Sequence, residues 1–239
     1  MRNIKRLTLI AGAILSMAAM ANTPVTTLIP VDHVFSPKGF DSNDTTEVIV
    51  SGFLPNLCHK VPESKVQVTG NKINITLTAL KYEIDNPFCP EVIVPFFEVV
   101  KVGLLDKGKY EVLVNGSTMY ERKSDITINE ASSDAVDEYI YANVDYIEKT
   151  EGSRVVSLKG YNPSDCFELD GVKVVSNGAD AYSILPKMKQ VSDFCPMKMV
   201  PFNYKVTVPT DLKADKVLLH VRSMDGKSVN SIFSNVPLR

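Results

Sequence analysis

A pattern of Gly, Pro, Cys and Phe that occurs twice constrains the fold of this chain more than any other feature. The first copy reads GFLPNLC at 52–58, then Cys89-Pro90 and Pro95-Phe96; the second reads GYNPSDC at 160–166, then Cys195-Pro196 and Pro201-Phe202. The glycines and first cysteines lie 108 residues apart, and the second cysteines and Pro-Phe pairs 106 apart. A fixed internal period indicates duplication. Two tandem copies of one domain are therefore predicted.

Residues 1–21 have the three parts of a secretory signal peptide: a basic start, an apolar run over 7–19 and the small-x-small site Ala19-Met20-Ala21. The run is too short to cross a bilayer, which takes about 20 apolar residues. We therefore expect an exported protein, periplasmic or extracellular, that begins near Asn22 and has no transmembrane segment.

The charge of the exported chain disfavours nucleic acid as a partner. The leader holds three of the 26 basic residues and none of the 28 acidic ones, so its removal takes the formal net charge from −2 to −5. Binding to phosphates requires a basic surface.

The four cysteines are predicted to form disulfides, as an even set does in an exported chain. Four cysteines allow three pairings, and the repeat selects Cys58–Cys89 and Cys166–Cys195 because each copy must fold alone. Each bridge closes a loop of about 30 residues and is expected to stabilise its copy by roughly 3–4 kcal/mol. A zinc site is the alternative, but no Cys-x-x-Cys or nearby His completes a ligand set.

Short runs rich in Val, Ile, Thr, Tyr and Phe, separated by turns, predict an all-β chain of two tandem domains, each of them a β-sandwich or a barrel. The predicted boundaries are 22–129 for the first domain, 130–134 for the linker and 135–239 for the second domain. The predicted strands are 31–35, 47–53, 66–68, 73–77, 96–102, 109–115 and 124–128 in the first copy, and 154–159, 172–176, 181–188, 204–208, 216–222 and 228–233 in the second. Hairpin turns are predicted at Gly70-Asn71, Asn177-Gly178 and Asp225-Gly226, and loops over 54–63 and 83–92.

The segment 134–149 fits two interpretations. Val136, Ile140, Val144 and Ile147 have helical spacing. The segment is also dense in Tyr, Ile and Val, which favour strands, and a strand over 139–148 is the favoured prediction.

Several motifs carry a family resemblance. With their short strands and turns, the two copies resemble immunoglobulin-like or fibronectin type III-like modules of bacterial envelope proteins, which implies two tandem immunoglobulin-like β-sandwich domains. GFLPNLC at 52–58, a later Pro-Phe pair and YEVLVNG at 110–116 also make the first copy similar to a group of uncharacterised exported bacterial proteins. The resemblance covers about 47–128 and 154–233. It implies binding or assembly, although such folds host unrelated functions.

No residue pattern points to catalysis or to a cofactor. The histidines His33, His59 and His220 have no metal-binding spacing, and the chain lacks a Gly-x-Ser-x-Gly elbow, a phosphate loop and a dinucleotide motif. Oxygen ligands cluster at 41–44, with Glu47 following, so a calcium site is open as an alternative to a turn rich in Asp and Asn.

The expected function is non-enzymatic binding or scaffolding in the bacterial envelope, by a monomer whose partner is a protein or another envelope component. The candidate contact residues lie in the loops beside the disulfides; they are Pro55, Asn56, His59, Phe88 and Pro163. The neighbouring apolar residues Phe88, Ile93, Val94, Phe96 and Phe97 are expected to pack as core, with an exposed contact site as the alternative.

Two further functions stay open. A hydrolase inhibitor would use a rigid Pro-flanked loop at 54–63. A hydrolase would need a pair of acidic residues that the sequence does not reveal, and a buried carboxylate pair in a cleft between the domains would favour it. An apolar interface between the domains would disfavour it.

Overall fold

The computed structural model describes residues 23–82, 88–133 and 139–235. Within these ranges the chain forms sixteen β-strands and one 3₁₀ turn, Met224–Gly226. No helix in the described ranges is long and apolar enough to span a membrane. The predicted signal peptide and residues 134–138, where the linker prediction ends, lie outside the described residues.

Each copy contributes eight of the described strands. Those of the first copy are β1 (Val25–Leu28), β2 (Val31–Phe35), β3 (Thr46–Leu54), β4 (His59–Thr69), β5 (Lys72–Lys81), β6 (Val94–Gly103), β7 (Gly108–Val114) and β8 (Arg122–Ile128). Those of the second copy are β9 (Ile140–Tyr141), β10 (Val144–Lys149), β11 (Val155–Asn162), β12 (Phe167–Ser176), β13 (Ala181–Gln190), β14 (Val200–Thr207), β15 (Lys216–Ser223) and β16 (Lys227–Ser234).

The strands of each copy form a five-stranded and a three-stranded sheet. In the first copy, β5 pairs with β4 along one edge, and its other edge pairs in parallel with β7 and antiparallel with β1, while β8 lies outside β7. The three-stranded sheet has the order β2-β3-β6. The second copy repeats this plan with β12, β13, β15, β9 and β16 in one sheet and β10-β11-β14 in the other. The predicted all-β sandwich fold is confirmed.

Each copy buries an apolar core between its two sheets. In the first copy, Val48 and Val50 from β3 pack with Ile73, Ile75 and Val112 from the five-stranded sheet. The corresponding core of the second copy includes Val156 and Leu158 from β11 and Tyr182, Ile184 and Val217 from the opposite sheet. Alternate residues along these strands face the core, as the two-residue period of a strand requires.

The structure differs from the predictions at three places. The segment after residue 138 is extended as predicted, but it forms two short strands, β9 and β10. The loop predicted over 54–63 is shorter, because β4 begins at His59 and pairs with β5. Pro62 lies at a β-bulge on this edge strand, which is one of the places where a sheet tolerates proline. The strand β1 was not predicted.

The repeated glycine is explained by a close backbone approach. A Cβ atom on Gly52 would lie 2.2 Å from the Pro30 carbonyl oxygen and 2.7 Å from the ring of Phe96, its partner in the ladder. A Cβ atom on Gly160 would lie 2.0 Å from the Asn143 carbonyl oxygen. In both copies the Phe of the Pro-Phe pair covers the bare glycine, which is a known way to recover packing at such a position.

Gly52→Ala and Gly160→Ala are therefore each expected to destabilise the fold by about 2–4 kcal/mol, since the added methyl group meets backbone atoms that cannot move aside. Gly171→Ala is the matched control, because a Cβ atom there has no neighbour within 4 Å. Urea unfolding of the three variants measures the difference. Equal midpoints for Gly52→Ala and Gly171→Ala would contradict the explanation.

The two sandwiches stack on each other through an interface that we call the seam. The outer face of β2-β3-β6 packs on the outer face of β13, β15 and β16, so that the molecule has four sheet layers. The apolar centre of the seam consists of buried Phe35 and Ile49 from the first copy and Ala181 and Leu218 from the second. As a result β3 and β15 are buried on both faces, which explains their continuous apolar runs.

Polar contacts surround this apolar centre. Arg222 donates to both carboxylate oxygens of Asp44, at 2.5 and 2.6 Å, and both side chains are at most 6% exposed. The hydroxyl of Ser228 donates to Glu47 at 2.5 Å, and His33 Nε2 lies 2.6 Å from an Asp180 carboxylate oxygen. The bidentate geometry of the Arg222–Asp44 pair fixes the two copies in one relative position.

Arg222→Ala is expected to destabilise the protein by about 3–5 kcal/mol, because it leaves the Asp44 carboxylate buried without its cation. Lys198→Ala removes an ion pair with Asp165 whose side chains are 63% and 50% exposed, and it should leave stability almost unchanged. Thermal and urea unfolding compare the two variants. A loss for Arg222→Ala no larger than for Lys198→Ala would show that the seam does not depend on this pair.

Candidate functional site

The disulfides Cys58–Cys89 and Cys166–Cys195 are present as predicted and lie at matching positions in the two copies. Each joins the two segments that cross from one sheet to the other. In the first copy β3 and β5 end beside the bridge, and β4 and β6 begin beyond it. The bridge therefore closes one end of each sandwich.

The first segment of each crossing is held by local hydrogen bonds. The Cys58 amide donates to the Asn56 side-chain oxygen at 3.1 Å, and the Cys166 amide donates to the Ser164 hydroxyl at 3.3 Å. The predicted contact residues Pro55, Asn56 and Pro163 are half-buried in these turns. They form a framework for the bridge rather than a projecting surface.

His59 also belongs to this framework. Its side chain is buried, and its Nδ1 atom lies 2.7 Å from the Asn56 side-chain oxygen. Burial, together with the positive charge of Lys81, lowers the pKa of His59 below its usual value. The structure thus places this candidate contact residue at the start of β4, where its side chain packs inside the protein.

The second segment of each crossing projects apolar side chains into solvent. In the first copy Phe88 is 84% exposed and Ile93 is 64% exposed; in the second, Phe194 is 81% exposed and Met197 is 99% exposed. We call residues 88–93 the first Phe-Cys-Pro tip and residues 191–199 the second Phe-Cys-Pro tip. Apolar groups concentrated in this way on a protein surface commonly mark an interaction site.

The expectation that Phe88, Ile93, Val94, Phe96 and Phe97 pack as core is wrong for Phe88, Ile93 and Phe97, and it holds for Val94 and Phe96 on β6. Val94 and Phe96 are partly buried against the first core, whereas Phe97 points to the outer face and is 36% exposed. The difference arises because β6 begins at Val94, so only residues from there on can alternate between the core and the outer face.

Sequence reasoning missed the second tip. Phe194 lies 106 residues after Phe88, and Met199 lies 106 residues after Ile93, at the same offset as the second cysteines. The repeat thus extends to Phe-Cys-Pro, and this signal could have identified Phe194. Met197 has no apolar counterpart, since Glu91 occupies the equivalent position.

The predicted loop of a hydrolase inhibitor is largely absent. Residues 59–63 belong to β4 and pair with β5, which leaves only 55–58 as a loop. A protease-binding loop must stay exposed and extended to enter an active site, and the strand pairing of 59–63 prevents this for half of the segment.

The carboxylates of the seam serve structural contacts. The Asp44 carboxylate is paired with Arg222, and Glu47 accepts from Ser228. Burial raises the pKa of Glu47, although Ser228, Lys101 and Arg222 act in the opposite sense. Beside them lies a cleft of about 360 Å³ whose walls include Lys38, Asp44 and Tyr141.

In the structure, oxygen atoms proposed as calcium ligands at 41–44 and on Glu47 take part in other contacts. Asp44 and Glu47 point to the second copy, and the Asn43 amide donates to the Asp41 carboxylate at 3.4 Å, as in a turn. Among the residues that the structure describes, no three His, Cys, Asp or Glu side chains are grouped to hold a metal ion.

A family model described as the ORF11 beta-sandwich domain matches residues 48–125. These residues run from β3 into β8 and include the first disulfide and the first Phe-Cys-Pro tip. The match supports a β-sandwich domain in the first copy. No curated protein and no solved structure matches the chain.

The buried side chain of His220 makes the stability of the protein depend on pH. It is fully buried on β15, its Nδ1 atom lies 2.8 Å from the Asn230 side-chain oxygen, and the Asn230 amide donates to Ser228, which donates in turn to Glu47. Burial lowers the pKa of His220 to about 4; the positive charge of Arg222 adds to this effect, and the bond to Asn230 opposes it.

The protein is therefore expected to lose stability as the pH falls from about 6.5 to 4. The unfolded chain takes up a proton on His220 in this range and the folded chain does not, which costs up to about 3 kcal/mol. The raised pKa of Glu47 acts in the opposite sense, since it destabilises the folded state as the pH rises through that pKa. Urea unfolding at several pH values gives the free energy of unfolding as a function of pH. Between pH 6.5 and 4 this free energy should fall less for His220→Gln than for the wild type. An equal fall in the two proteins would contradict the role assigned to His220.

Proposed function

We propose that this protein is an exported, non-enzymatic binding protein with a scaffolding role in the bacterial envelope or outside the cell. It contacts a protein partner through its Phe-Cys-Pro tips. The observation that carries the proposal is the presence, at the same place in both copies, of exposed apolar side chains beside a disulfide.

The disulfides and the N-terminal sequence support export. Structural disulfides form in oxidising compartments, and residues 1–21 have the pattern of a signal peptide. We further propose that the sandwiches act as immunoglobulin-like modules of envelope proteins do, as frames that present loops. Such modules bind through loops at the ends of the sheets.

The chemistry of the tips favours a protein partner. Phe and Met are enriched in protein interfaces, where a buried aromatic ring supplies much of the binding energy, and Met adapts to irregular surfaces. The exposed side chains of the tips lie at the ends of the sandwiches, so they suit insertion into a partner's pocket. The disulfide restricts the loop before binding, which lowers the entropy lost on association.

The proposal is tested by replacing Phe88 or Phe194 with a photoreactive benzoyl-phenylalanine in the full chain, expressed in the cells that normally produce it. Irradiation is expected to give a protein adduct of discrete mass for both positions, since each ring should enter a partner's pocket. Gel shift and mass spectrometry identify the adduct.

Asp125, which is exposed on the outer face of β8, is the control position for the photoreactive residue. Cys58→Ser and Cys166→Ser test whether the adduct needs the disulfides. The absence of protein adducts at both tips, or adducts of equal yield at position 125, would refute the proposed function.

A further inference from the structure

The strands that meet in the seam run in opposite directions. Near the start of β3, Asp44 and Glu47 contact Arg222 at the end of β15 and Ser228 at the start of β16. Later in β3, Ser51 lines a common groove with Lys216, where β15 begins. The contacts thus follow reversed order along the two strands, and β3 is antiparallel to β15.

This reversal determines where the disulfides lie. In the first copy the bridge lies beyond the end of β3. In the second copy the bridge lies beyond the end of β13, and β15 runs parallel to β13, so β15 also points toward the bridge. Because β3 and β15 point in opposite directions, the two bridges lie at opposite ends of the molecule.

The distance between the ends follows from strand geometry. At about 3.3 Å per residue, the strand segments on either side of the Arg222–Asp44 pair place the two tips on the order of 40 Å apart along the strand direction. The apolar centre of the seam and this ion pair hold the copies together. At this distance, one apolar pocket is too small to receive both tips.

The two tips also share their chemistry. Each presents Phe-Cys-Pro with an exposed Phe, and Ile93 corresponds to Met199 as a second apolar group. Side chains of the same kind in the same register suit pockets of the same kind. A partner made of identical subunits provides such pockets repeatedly.

From the opposed tips and their common chemistry, we propose that this protein is a two-ended connector that binds two molecules of one partner protein, each through an apolar pocket that receives a Phe ring. This inference rests on the proposed function and adds the valency and arrangement of the partners. Two linked binding sites that act on a repetitive partner raise the overall affinity without new contacts.

Benzoyl-phenylalanine is placed at position 88, at position 194 and at both positions of the full chain to test the connector. Each single variant is expected to give an adduct with one partner molecule. The double variant is expected to give in addition an adduct with two molecules of the same partner, at a yield close to the product of the two single yields.

The outcomes separate the connector from the proposed function. If both single variants give adducts and the double variant gives adducts with only one partner molecule, the connector is refuted and partner binding at the tips stands. Different partners at the two tips, or adducts with a second copy of this chain, also refute the connector. If neither single variant gives an adduct, the proposed function itself fails.

Discussion

The packing of one copy's three-stranded sheet on the other copy's five-stranded sheet is the constraint on which the rest of the molecule depends. It buries β3 and β15 on both faces, and it requires apolar residues such as Ile49 and Leu218 where an isolated sandwich would carry polar ones. It also brings His220 and Glu47 out of water, which shifts their pKa values in opposite directions. The seam therefore sets the arrangement, the pH response and the direction of both tips.

This packing joins different faces of the two copies, and contacts of that type can in principle continue without end. In each copy, the sheet face equivalent to the one that the other copy uses in the seam remains outside the seam. At the positions equivalent to the apolar seam residues, these faces carry polar residues. Phe35, Ile49 and Val99 of the first copy correspond to Glu148, Ser157 and Lys205 of the second; Ala181, Leu218 and Ile232 of the second correspond to Lys72, Glu111 and Asp125 of the first. Burying those charges without partners would be costly, so these faces are less suited to such packing than the faces that form the seam.

The features that could be predicted from the sequence are those whose residues recur in both copies. The offsets of Gly52, Cys58 and Cys89 led to the sandwich repeat and to the correct disulfides, because each residue is tied to a local geometric need. The seam was not predicted, since an apolar run such as 48–50 is compatible with several kinds of burial. Phe88 was predicted as a candidate contact residue, but an exposed site was only the alternative to core packing for its apolar neighbourhood, because an apolar residue beside a disulfide gives the same sequence signal in a core and on a surface.

The repeated motif combines two parts with different physical origins. Gly52 with Phe96, like Gly160 with Phe202, is explained by packing alone, since no larger residue fits beneath the ring. Burial in the core does not explain why residues 88 and 194 are both Phe, because each residue is more than four-fifths exposed. An exposed aromatic ring carries a risk of aggregation that a polar residue would avoid. The proposed contact of each tip with a partner would account for a Phe at the same offset in both copies.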